Sequence, residues 1–275
     1  MATLSTSTWG DPSATKHVLL IHGITSSSQC WYRIAHEFAS RGKFPKSSDR
    51  SAEHLPDDSP AAGYFVIAPD LLGHGHARRG TDYTIAAMVE ELRPLLTVAG
   101  HDHDHPYHVV IGHSLGGVVA SALIPFLKST RPVRLVLVDP PLNPPPESVA
   151  IYEDAIGNDL KNPKTPEEYL RENPLWTRED GILEYSSVRL CDSAAVHAIL
   201  EQMKPWSFAY LLSSVPDNVR VTVLAADPAK VPCVREEDLK PYPHVTVKTI
   251  WGASHNIPRE LPLVVVDTAL EGTTS

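Results

Sequence analysis

Six apolar runs rich in β-branched residues constrain this 275-residue chain more than any other feature. They are HVLLIHG (17–23), YFVIAPD (64–70), YHVVIGH (107–113), VRLVLVDPP (133–141), VRVTVLAADP (219–228) and VTVKTIWG (245–252). Most are continuous rather than alternating, as expected of strands covered on both faces. Helix-compatible segments at 29–41, 83–98, 115–128 and 257–271 separate several of them. Strands alternating with helices imply right-handed crossovers and a mainly parallel sheet. TLSTSTWG (3–10) alternates well enough to add an edge strand. The fold class is therefore α/β, a mostly parallel central sheet of about seven strands flanked by helices.

Two segments break the rhythm. Residues 43–63 are polar and rich in Pro, Ser and Asp, which reads as a surface loop. Between about 142 and 215 no strand signal occurs. That stretch opens with the proline hinge PPLNPPPE and continues with helix starts. Thr165, Pro166 and Glu168 form a capping-box pattern, and Thr177 and Asp192 read as further N-caps. The expectation is a helical lid at 142–215 between two parts of one core, 1–141 and 216–275.

Composition narrows the function classes. A net charge of -9 argues against a nucleic-acid-binding surface and against an anionic membrane surface. No window holds the 18 or so apolar residues of a spanning helix. The N-terminus lacks the basic start and apolar stretch of a signal peptide, so a cytoplasmic location is expected. Cys30, Cys191 and Cys233 are odd in number and widely spaced, which suits free thiols in a reducing compartment.

Chemistry concentrates in GHSLGG (112–117). Between a strand and a helix, G-x-S-x-G bends the chain so sharply that Gly112 and Gly116 must lack side chains, and Ser114 is pushed out at the carboxyl end of the sheet. The Leu115 N–H, at the helix start, faces the same point and can stabilise an oxyanion. A serine nucleophile needs a base and a carboxylate to orient it. His255, after the last strand in WGASHNIP, is the candidate base. Asp227, ending the preceding strand in VLAADPAK, is the favoured carboxylate, in the chain order Ser…Asp…His. Asp139, ending the strand before that in VLVDPP, is the alternative acid. After the first core strand, His22 and Gly23 turn the chain so that the Ile24 N–H becomes the second oxyanion donor. Trp31 and Trp206 are candidate pocket residues.

On these motifs, with APDLLGHG at 68–75 and GASH at 252–255, the chain resembles the lid-bearing, serine esterase- and lipase-like group of the α/β-hydrolase superfamily. The resemblance covers nearly the whole chain and implies an α/β-hydrolase fold whose N-terminus is short by one strand of the usual eight. It also implies hydrolysis of a carboxylic ester, lactone or thioester through an acyl-enzyme, without a cofactor. The lid and apolar pocket suggest a small to medium hydrophobic small-molecule substrate. A carbon–carbon bond hydrolase or lyase on the same triad, and a non-catalytic ligand-binding protein, are the alternatives.

Other features carry less. HDHDH (101–105) reads as a solvated loop rather than a metal site, so no metal is expected. Arg78 and Arg79 read as a solvated loop, with contact to an acidic substrate group as the alternative. The sequence leaves the oligomeric state open.

Overall fold

The computed structural model describes residues 4–41, 63–97 and 105–272. Seven strands form one sheet: β1 (Thr6–Trp9), β2 (Lys16–Ile21), β3 (Tyr64–Pro69), β4 (Tyr107–His113), β5 (Val133–Val138), β6 (Val219–Ala226) and β7 (Thr246–Ile250). Their order is β1-β3-β2-β4-β5-β6-β7. Every neighbouring pair is parallel except β1 with β3, where Ser7 stands opposite Ala68. The edge strand expected near residues 3–10 is this antiparallel one.

The continuous apolar runs are explained by two-sided burial. In β2, Val18 and Leu20 join one core while Leu19 and Ile21 join the other; in β5, Val136 and Val138 oppose Leu135 and Leu137 in the same way. Helices α1 (Tyr32–Ser40) and α9 (Pro262–Leu270) cover one face, with Phe38 and Val266 fully buried. Helices α2 (Ile85–Leu92) and α3 (Leu115–Ala122) cover the other, with Met88 and Val118 fully buried.

Prolines set several helix ends inside the expected spans. After α3 the chain tightens into a 3₁₀ turn at Ile124–Leu127, with Pro125 at its start. The expected terminal helix is split into α8 (Ile257–Glu260) and α9, because Leu261 precedes Pro262 and leaves the helical region.

Between β5 and β6 the chain forms α4 (Pro146–Lys161), α5 (Pro166–Glu172), α6 (Arg178–Leu190) and α7 (Ser193–Gln202). Thr165 and Thr177 each close a capping box, with Glu168 and Asp180, and Asp192 caps α7. The segment is seated on the sheet core. Ala195 and Ile199 of α7 are buried in it, Ser27 and Ser187 share a 2.7 Å hydrogen bond, and the Asp192 N–H donates to the Gly73 carbonyl at 3.1 Å. Nearly all of the expected loop at 43–63, and four residues of HDHDH, lie outside the described residues. Among the described residues no helix is long and apolar enough to cross a membrane.

Candidate active site

Strand β4 ends at His113 and α3 begins at Leu115, so Ser114 alone makes the turn, at φ 53° and ψ -121°. A serine in this region is strained, by about 1–3 kcal/mol. The surroundings enforce it. The Ser114 N–H donates to the Val138 carbonyl at 2.9 Å, and its carbonyl accepts from Gly117 at 2.8 Å. The two glycines are steric necessities: a Cβ on Gly112 would stand 2.2 Å from the Gly116 carbonyl oxygen, and one on Gly116 would stand 2.1 Å from that of Ile21. Ser114 is 7% exposed and lines a cavity of about 160 Å³.

His255 lines the same cavity. Its Nδ1–H donates to Asp139 Oδ2 at 2.7 Å, which leaves Nε2 for the cavity side. Among the described residues no hydrogen bond joins Ser114 to His255, and the two share the cavity wall. Asp139 is fully buried and also accepts from the Ala226 and Cys233 N–H groups, at 3.2 and 3.0 Å.

The favoured carboxylate, Asp227, is not the partner of His255. Its side chain accepts from the Ala229 N–H at 2.8 Å and the Gly252 N–H at 2.7 Å. These bonds hold its pKa below the ordinary value and tie the turn after β6 to the turn after β7. The alternative, Asp139, meets the histidine because its backbone turns at φ 43° directly after β5 and its N–H bonds the Leu224 carbonyl at 2.7 Å. That turn aims the carboxylate across the end of β6.

Burial disfavours a charged His255, yet the neighbouring Cys233 sulfur and Asp139 carboxylate outweigh it and hold its pKa well above the ordinary value. His113 behaves oppositely: burial, then the adjacent His255, push its pKa well down. Neutral His113 can donate from Nε2 to the His255 carbonyl at 2.9 Å, which fixes the loop carrying the base.

Opposite the elbow, fully buried His22 bonds the Gly23 carbonyl through Nδ1 at 2.7 Å and accepts the Leu71 N–H at Nε2 at 3.0 Å. The following residues Ile24 and Thr25 line the cavity, and Thr25 has a positive φ of 58°. Neither the Ile24 nor the Leu115 N–H has an acceptor among the described backbone contacts. Of the four non-glycine residues with positive φ among the described residues, Thr25 and Ser114 line the cavity and Asp139 bonds the lining residue His255. Such strain concentrates at functional sites.

Trp31 and Trp206 both line the cavity; Trp31 is 1% exposed, and Trp206 packs against the larger core cluster. Arg78 pairs with Glu91, and Arg79 donates to the Gly75, Ala77 and Leu190 carbonyls, so both have structural partners and neither lines the cavity. His105 bonds the Leu127 carbonyl at 3.0 Å. The three cysteines are free thiols.

Several cavity residues were not named as site residues in the sequence, four of them with groups that bear on the site. Tyr152 of α4 has its ring 5.4 Å from that of His255, and its hydroxyl donates to the Val231 carbonyl. Buried Cys233 offers its sulfur beside Asp139 and His255. Arg259 and Glu184 form an ion pair on the wall. Only Arg259 left a signal, the one cation in the mostly apolar stretch IPRELPLVVV, where Glu260 follows it.

The comparisons with known proteins agree with this architecture. Residues 18–268 match the model of the Alpha/beta hydrolase family. Lipase LipV of Mycobacterium tuberculosis is 38% identical over 132 residues, 47% of this chain and 39% of that protein. A monoacylglycerol lipase of Mycolicibacterium smegmatis is 35% identical over 71 residues, 25% of each chain. The matches therefore span well under half the length of these relatives. Among solved structures, the enol-lactonase from Burkholderia xenovorans superposes with a TM-score of 0.69 at 14% identity, over 99% of this chain and 96% of its own, a likeness of fold. With a family match running from β2 into α9, this chain belongs to the alpha/beta hydrolase family.

Proposed function

We propose that this member of a hydrolase family is a serine hydrolase that cleaves a carboxylic ester, lactone or thioester of a small to medium hydrophobic substrate. The observation that carries the reading is the buried His255–Asp139 contact, set on a cavity wall shared with a strained, outward-turned Ser114. The names of the lipase relatives support the ester bond as the target.

In this reading Ser114 Oγ attacks the carbonyl carbon while its proton passes to His255 Nε2. Asp139 keeps Nδ1–H directed at itself and stabilises the imidazolium. The Ile24 and Leu115 N–H groups receive the oxyanion. As the tetrahedral intermediate collapses, the bond to the leaving oxygen or sulfur breaks and His255 returns the proton to it. Water then attacks the acyl-enzyme through the same base, releasing the acid and restoring Ser114. The helices between β5 and β6 act as a lid that covers the apolar cavity and keeps bulk water from the acyl-enzyme.

Steady-state turnover of a p-nitrophenyl ester series tests this. Wild type should hydrolyse some chain length, and Ser114→Ala should lose several orders of magnitude in kcat. Retained turnover in Ser114→Ala would exclude the mechanism.

A further inference from the structure

Arg259 belongs to α8, four residues after His255, and Glu184 lies within α6. Their side chains are 8% and 14% exposed, and both line the cavity that holds Ser114. Arg259 Nη2 donates to Glu184 Oε2 at 2.5 Å, and its guanidinium lies 4.5 Å from the centre of the Trp176 ring. The backbone is held as well, since Arg33 Nη1 donates to the Arg259 carbonyl at 2.6 Å and pairs with Asp180 at 3.2 Å. The guanidinium is therefore fixed in place before any ligand arrives.

That pair makes unequal use of its groups. No other guanidinium N–H of Arg259 has an acceptor among the described residues, yet none of its side-chain nitrogens is among the buried side-chain atoms lacking a partner. The unused donors are therefore not sealed within the protein, and Arg259 lines the cavity. The second Glu184 oxygen is likewise neither bonded nor sealed. A tether between α6 and α8 could be made at no greater cost by apolar packing, because desolvating two charges offsets their attraction. Fixed, unspent donors and an acceptor inside an apolar pocket are the usual means of orienting a ligand.

We propose that Arg259 and Glu184 form a polar subsite that binds a hydroxyl group carried by one arm of the ester, an inference that rests on reading the site as an ester hydrolase. Charge selects this ligand. A carboxylate drawn to Arg259 would meet Glu184, and an ammonium drawn to Glu184 would meet Arg259. A hydroxyl suits both, its oxygen accepting from the guanidinium and its O–H donating to the carboxylate.

The test uses matched esters whose terminal carbon bears hydrogen, hydroxyl or methoxy, in one series on the alcohol arm and in another on the acyl arm. In wild type, one series should show the hydroxyl ester ahead of the plain ester by about tenfold or more in kcat/KM, with the methoxy ester between. Arg259→Met should bring the hydroxyl and plain esters to near parity, while Glu184→Gln should narrow the lead of hydroxyl over methoxy. A purely structural pair would instead move all esters together. Parity in both wild-type series, a methoxy ester equal to the hydroxyl ester, or an unchanged preference in Arg259→Met would overturn the subsite. The wild-type series decides even if the variants fail to fold. Plain-ester turnover with parity sinks the subsite alone. Loss of all turnover together with no fluorophosphonate labelling of Ser114 sinks the hydrolase reading beneath it.

Discussion

At Asp139, a positive φ of 43° directly after β5 swings a fully buried carboxylate onto His255 Nδ1 and onto two backbone N–H groups. Asp227 ends the next strand with the same chemistry but spends it on the Ala229 and Gly252 N–H groups. The two roles are separable by substitution. Asp139→Asn should lower kcat by roughly 10⁴-fold, as loss of the orienting carboxylate does in a serine triad. Asp227→Asn should keep near-wild-type kcat with a modest loss of thermal stability; the reverse pattern would restore Asp227 as the acid. Catalysis also needs His255 neutral, and the Asp139 contact helps hold its pKa above the ordinary ~6.5. The acid limb of kcat/KM should therefore lie above that value in wild type, and a limb below ~6.5 would contradict the assignment. Ser114 and His255 were legible because each stands inside a short local pattern. The choice between the two aspartates was not, because it depends on φ at one residue and on where the loop at 227–234 runs, both products of packing.

The elbow is the element on which the site depends, and its geometry is set by atoms on three elements. Gly116 sits on α3 with its missing Cβ facing the Ile21 carbonyl at the end of β2. Gly116→Ala would place a methyl group 2.1 Å from that backbone oxygen, so helix and strand must part. Overpacking of this kind costs about 1–3 kcal/mol. We expect a drop of several degrees in Tm and a loss of turnover larger than that drop explains; a variant with wild-type Tm and kcat would show that the close approach is dispensable. Element identity was readable throughout, since two-sided burial produces continuous strand runs and since Thr165, Thr177 and Asp192 announce their helices. Boundaries were less so where proline acts, as at Pro125 and Pro262. The helices between β5 and β6 were legible as helices, but not in which side chains they send to the cavity. Tyr152 and Glu184 reach it through tertiary packing that no local pattern encodes.

Over the whole molecule, histidine burial couples folding to pH. Burial pushes His74 down to about 3, lowers His22, and with help from His255 lowers His113 well below its ordinary value. Each is neutral when folded, whereas the unfolded chain takes up a proton as pH falls below ~6.5, so each removes up to about 1.4 kcal/mol per pH unit there. His255 has the opposite sign: its raised pKa adds stability below ~6.5 that is lost as pH rises through the raised value. Burial, with Arg131 nearby, likewise lowers half-buried His108 to about 4, so among the described residues four groups oppose one; Tm should fall between pH 7.5 and 5.5, and a Tm constant or rising over that interval would contradict the burial account. In the proposed reading the molecule presents one activated serine, Ser114, at the end of a seven-stranded sheet, beneath the helices between β5 and β6. The most direct test of that claim is the intact mass of the protein after exposure to a fluorophosphonate, for wild type and Ser114→Ala. The account predicts one adduct per wild-type chain and none on Ser114→Ala. Equal labelling of both, or no labelling of either, would contradict it.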